Sequence, residues 1–161
     1  VLSDLRNDQA LNILETRIQS KDLSNFELAE LISALWATKM PRAGQIILSN
    51  CNFSTLPDDE DLLKKYSIAM EHYRIPGAQP TMLRIAQKAD WEFSTYYALR
   101  YFSSFPREDA VSAFIAFTNG QGGYAHLSLF DTVTAFTESS AITEESKKTL
   151  RGYLATGKVK K

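Results

Sequence analysis

A chain of 161 residues with 44% apolar and 23% charged residues has the composition of an ordinary globular domain, which excludes a disordered segment, a collagen and a mucin-like stalk. Lys and Arg number 18 against 19 Asp and Glu, a net charge of -1, so the balance lacks the basic excess that usually grips nucleic acid. The single Cys51 excludes a disulfide framework and a cysteine-built zinc site within one chain.

No apolar run approaches the roughly 18 residues a spanning helix needs; stretches such as 113–117 are far shorter, so no membrane insertion is expected. At about 150 residues per domain the length predicts one domain over 1–161. The chain starts at Val1 without a Met, which reads as a processed chain, an excised domain or the ordered part of something longer. Cys51 is expected to be a buried thiol.

Helical spacing begins at once. Ala10, Leu11, Ile13, Leu14 and Ile18 recur at three and four residues and predict a helix over 4–19 with these side chains on one face. Ser24 with Glu27 three positions later is a capping-box pattern and opens a helix over 24–39 carrying Leu28, Leu31, Ile32 and Leu35, with Trp36 expected in the core. Pro41 suits the first turn of a helix over 41–50. After a connection at 50–56, Pro57 precedes Asp58, Asp59, Glu60 and Asp61, whose charges favour the positive end of a helix dipole. The helix over 58–74 carries Leu62, Leu63, Tyr66, Ala69, Met70 and Tyr73, and Pro76-Gly77 stops it.

Pro80 opens a helix over 80–89 with Met82, Leu83, Ile85 and Ala86. Asp90 is the expected cap of an aromatic helix over 90–104. Its Trp91, Phe93, Tyr96, Tyr97, Tyr101 and Phe102 cannot all face one side, so some are exposed or meet neighbours on both faces. Pro106 leads the helix over 106–118, which Asn119 and the glycines to Gly123 end. A helix over 124–138 with Leu127, Leu129, Phe130, Val133 and Phe136 follows. Thr143 starts the last, 143–156, with Leu150, Tyr153 and Leu154 inward. Gly157 precedes a basic tail of Lys158, Lys160 and Lys161. Nowhere do Val, Ile and Thr alternate for a strand's length, so the fold class is all-α.

Capping positions at Ser24, Asp59 and Ser94 recur every 35 residues. Paired helices at such a period indicate antiparallel hairpins that stack because one hairpin cannot bury its apolar face alone. Residues 24–156 then hold about four hairpins, and 1–23 cap the open end. An irregular α-bundle is the alternative arrangement.

Leu31-Ile32, Ala34-Leu35 and then Ala43 form a first instance of a pattern that returns at Thr95-Tyr96-Tyr97-Ala98-Leu99, Glu108-Asp109-Ala110 and Phe114; the unit with Tyr66 follows it loosely. In this order the chain resembles the pentatricopeptide repeat family. The resemblance implies a right-handed stack of hairpins, and it implies single-stranded RNA read one base per repeat. Carried onto this sequence, the base-reading positions are Ala29 with Asp59, Ser67, and Tyr97 with Leu127. Ala29 has no hydrogen-bonding group and Leu127 cannot complete the pair with Tyr97, so the code is largely broken. Arg84, Lys88, Arg100 and Arg107 lie among aromatics, as phosphate contact plus stacking requires, and read alternatively as solvated helix edges.

Size, repeat number and lost code are also similar to the pentatricopeptide-like subunit on the F1 head of euglenozoan mitochondrial ATP synthase. That similarity implies a non-catalytic, structural role in protein–protein interaction, ATP synthase α subunits as partner, and a mitochondrial location after removal of a transit peptide. An organellar RNA-binding protein and a generic helical scaffold or adaptor are the alternatives. The residues offer no catalytic constellation and imply no cofactor or metal. His72 and His126 are the only histidines, read as helix-surface and helix-start residues; Glu71 beside His72 points elsewhere on the helix. The run 119–123 lacks the Lys-Ser/Thr end of a phosphate loop. The acidic cluster at 58–61 lacks the alternating ligands and turn glycine of a calcium loop.

Overall fold

The computed structural model describes residues 8–20, 22–51, 57–88, 92–120 and 129–156. Among them every regular element is helical: α1 Asp8–Ile18, α2 Asn25–Thr38, α3 Pro41–Asn50, α4 Glu60–Tyr73, α5 Gln79–Lys88, α6 Glu92–Tyr101, α7 Glu108–Gly120, α8 Phe130–Glu138 and α9 Glu144–Ala155, with one 3-10 turn at Pro76–Ala78. The protein is all-α, as the periodicity predicts.

The expected start signals act through their side chains. Ser24 Oγ accepts from the Glu27 N–H, and the Glu27 carboxylate accepts from the Ser24 N–H at 3.0 Å, a complete capping box. Asp59 accepts from the Leu62 N–H, and Thr143 from the Ser146 N–H. Ser94 departs from this series. It is buried inside α6, where the helix is already formed at Glu92, so it does not stand at the N-cap position, and the even spacing of helix starts ends with Asp59. Asp90, the other cap expected there, lies outside the described residues. The helix expected over 90–104 ends at Tyr101, because Phe102 to Phe105 bond in the tighter i to i+3 pattern. Helix α7 runs on through Asn119 to Gly120, and Gln121 to Gly123 lie outside the described residues.

Two helix ends use residues the sequence does not flag. Lys39 and Arg74 terminate α2 and α4 in the left-handed region at φ 56° and 51°, a place usually left to Gly. Their positive charges sit at the negative end of the helix dipole, which offsets part of the steric cost.

Packing follows chain order. Helix α4 lies between α2 and α6, α6 touches α8, and α5 packs on α7; each consecutive pair α2/α3, α4/α5, α6/α7 and α8/α9 is in contact, and α1 rests on α2 and α3. One apolar cluster runs from Leu11 through Ile32, Leu35, Leu62, Tyr66, Met70, Met82, Leu99, Phe102 and Phe114 to Phe136 and Leu150. Ile13, expected on the inner face of α1, is instead 63% exposed; Leu11 and Ile18 bury that face, and position 13 is a little over half a turn away from Leu11.

Hydroxyls tie neighbouring helices end to end. Tyr73 at the close of α4 donates to the Leu35 carbonyl of α2 at 3.2 Å, and Tyr101 at the close of α6 donates to the Ile75 carbonyl after α4 at 2.6 Å. Gly44 of α3 permits the approach beneath Tyr73: a Cβ there would lie 2.6 Å from Tyr73 Cγ. Glu108 at the start of α7 reaches the start of α9, accepting from the Thr143 N–H at 2.9 Å, from the Thr143 hydroxyl at 3.0 Å and from the Ser146 hydroxyl.

Two outcomes follow from these ties. Tyr101→Phe removes one of the two bonds to the half-buried Ile75 carbonyl, which keeps the Ala78 N–H at 3.0 Å, and is expected to lower stability by about 1 kcal/mol, read from urea unfolding; an unchanged midpoint would show that the bond contributes nothing. The bonds from Ser146 and Thr143 hold the Glu108 carboxyl below its usual value of 4.5. Its stabilising contribution is therefore complete above pH 4.5 and disappears as pH falls through the lowered folded value. Thermal scans between pH 7 and pH 3 are expected to show a smaller acid-induced loss for Glu108→Gln than for the wild type.

Candidate interaction surface

The residues carried over from the base-reading code do not form a reading site. Ala29 and Ser67 are buried, and the Ser67 hydroxyl donates to the Leu63 carbonyl at 2.7 Å. Asp59 is engaged as a helix cap. Tyr97 is half-buried on α6, and Leu127 lies outside the described residues.

The basic residues among the aromatics are engaged inside the molecule. Lys88 pairs with Asp58, and Arg100 with Glu71 at 3.0 Å. Arg107 grips Asp109 with two bonds of 2.5 and 2.6 Å and donates to Gln79 at 3.3 Å. Arg84 is half-buried on α5. The two-sided reading of the aromatic helix holds: Tyr101 and Phe102 are core, Tyr96 and Tyr97 are half-buried with rings 5.2 Å apart, and Phe93 is 60% exposed. Trp91 lies outside the described residues.

Trp36 corrects an expectation. It is half-buried, not core, because it borders a groove whose other α2 residues are small, Ser33 nearly one turn before it and Ala37 next to it, which leave one side of the indole uncovered. Lys39 Nζ sits 3.2 Å from the centre of its ring. The same device recurs along the layer: Lys64 Nζ stands 4.9 Å from the Phe93 ring centre, and the Arg100 guanidinium 5.8 Å from that of Tyr96. Each cation is attracted to the negative face of its ring.

Between α2 and α4 runs a groove of about 190 Å³ lined by Ser33, Trp36 and Ala37 on one side and Lys65 and Ile68 on the other. Farther along, His72 stands edge-on to Trp36 at 6.4 Å and to Tyr73 at 4.9 Å. Partial burial, followed by the nearby Lys39, lowers its pKa against the opposing pull of Glu71, which favours the neutral ring at pH 7. The sequence signal for the groove is a pair of small residues four apart, Ser33 and Ala37, facing away from the buried Ile32 and Leu35. The pair does not mark a groove by itself, because an isolated sequence does not show which helix lies opposite.

Burial pushes the Cys51 thiol up to about 12, so it carries essentially no thiolate at pH 7, as expected of a buried cysteine. Among the described residues no three His, Cys, Asp or Glu side chains converge as a metal set would, and no helix is long and apolar enough to cross a membrane. His126 and the closing lysines Lys158, Lys160 and Lys161 lie outside the described residues. No protein-family model, curated protein or solved structure matches this chain.

The Trp36 indole N–H is buried and has no acceptor among the described residues. The residue therefore contributes through its ring surface, and its N–H is a cost. Trp36→Phe, which removes that donor and keeps an aromatic face for Lys39, is expected to leave unfolding stability within about 1 kcal/mol of the wild type; a loss well beyond that would show that the N–H is bonded.

Proposed function

We propose that the chain is a non-catalytic interaction subunit of a larger mitochondrial assembly, a peripheral subunit on the F1 head of ATP synthase with an α subunit as its partner. The observation that carries the interaction reading is the state of the open face. Three of its cations already lie on aromatic rings, Lys39 on Trp36, Lys64 on Phe93 and Arg100 on Tyr96, while Phe26 and Phe93 stand 72% and 60% exposed. A strand of RNA needs the reverse, with free cations for phosphates and free ring faces for bases. Exposed aromatics over small side chains suit a protein contact, where such residues anchor an interface.

Hairpins in chain order, with the ordered apolar pattern of each, support the pentatricopeptide-like part of this reading. The mitochondrial location and the ATP synthase partner rest on that resemblance. Native mass spectrometry of the protein purified gently from its source, with and without ribonuclease, tests it. The expected result is a complex whose mass includes ATP synthase subunits and survives the nuclease. Collapse of the complex on ribonuclease treatment would replace this reading with RNA binding.

A further inference from the structure

We propose that His72 is a proton-operated release for Lys39: when the imidazole takes up a proton, the Lys39 ammonium leaves the Trp36 ring and uncovers that face of the indole. The device lies within the chain and stands independently of any partner the open face meets.

Two helix ends bring the groups together. Lys39 is the left-handed cap of α2, and His72 sits in the last turn of α4. The two helices pack side by side, so both side chains line one pocket of about 340 Å³ with Pro41, Gln45, Tyr73 and Ile75. Both also bear on the same indole. Lys39 Nζ is 3.2 Å from the Trp36 ring centre, and the His72 ring meets Trp36 edge-on at 6.4 Å. With the imidazole neutral, the described lining carries one positive charge, and that charge rests on the indole.

A proton on His72 adds a second positive charge to this lining, in which no described residue is acidic. The charges acting on His72 are Lys39 from α2 and, on its own helix end, Glu71 and Arg74. Helix α3 faces the pocket with the uncharged Pro41 and Gln45. Helix α6 supplies Arg100, which is bound to the 14% exposed Glu71 at 3.0 Å and compensates it. No described residue of α5 lines the pocket. Repulsion from the new charge therefore falls on Lys39. The imidazole is flanked by Trp36 and by Tyr73 at 4.9 Å, whereas the ammonium ends a flexible four-carbon stem. A cation on a partly exposed ring is held about as strongly as an exposed like charge repels it, so one proton is enough to shift the balance. His72 is exposed, so solvent supplies that proton directly. The coupling works in both directions. Partial burial and then Lys39 lower the His72 pKa, with Glu71 opposing and Arg74 adding to them. Whatever Lys39 takes from the proton affinity of His72, the proton takes from the hold of Lys39 on the indole.

The test is proton NMR of the purified full chain between pH 8 and pH 5, in a His126→Gln background that leaves one imidazole signal. At pH 8 the Lys39 ε-methylene protons are expected upfield of the other lysines, shielded by the indole ring current. On acidification they are expected to move back with the midpoint of the His72 ring, which lies below 6.5. In His72→Gln, which stays neutral, they are expected to remain upfield down to pH 5. In Lys39→Gln the His72 midpoint is expected to rise by at least about 0.2 pH unit, as removal of an exposed like charge requires. Arg74→Gln is expected to raise it less. A Lys39 signal that does not follow the His72 midpoint, or that still moves in His72→Gln, overturns the release. So does a His72 midpoint unchanged in Lys39→Gln, and this second arm keeps the test decisive if His72→Gln fails to fold.

Discussion

The burial of α4 between α2 and α6 is the constraint from which the other features descend. Leu62, Leu63, Tyr66, Ala69 and Met70 form an apolar and aromatic stripe about 120° wide along that helix and are all fully buried, and α4 meets that need by contacting α2 and α6 as well as α3 and α5. Once it is enclosed, its ends fall beside those of its neighbours. Tyr73 then reaches Leu35, and the close of α4 offers the Ile75 carbonyl to Tyr101. These bonds contribute about 1 kcal/mol each. Their larger effect is on register, since each hydroxyl finds its carbonyl at only one sliding position of the helices.

The open side of the layer follows from the same enclosure. Residues of α2, α4 and α6 that face away from the core include large rings, which water alone solvates poorly. The protein covers them with its own cations, Lys39 on Trp36, Lys64 on Phe93 and Arg100 on Tyr96. Lys39 shows how backbone and side chain cooperate here. The left-handed turn at φ 56° that ends α2 costs a non-glycine residue about 1–2 kcal/mol. A glycine would avoid that cost, but it would lose the charge at the dipole's negative end and the cation on the indole.

Helix existence was legible because it depends on short-range periodicity. Ser24, Asp59 and Thr143 were identified as starts from residue type and spacing, and each makes the expected cap bond. Ser94 shares the residue type and the 35-residue interval but sits inside a helix already under way, since nothing local distinguishes a capping serine from one that a neighbouring helix buries. Ile13 failed for a similar reason. Apolar residues on α1 span a wider arc than α2 and α3 can cover, and only contact selects which of them are buried.

The sequence by itself determined the class of fold, the position of most helix boundaries and the exclusion of a disulfide framework, because these depend on composition and on interactions within a few residues. The tertiary structure alone decided that Trp36 stands at a groove, that Arg100 and Lys88 are bound to Glu71 and Asp58, and that Glu108 caps α9 from 35 residues away. Each of these joins groups on different helices, and their meeting depends on the rotation and register of packed helices, which no local pattern encodes.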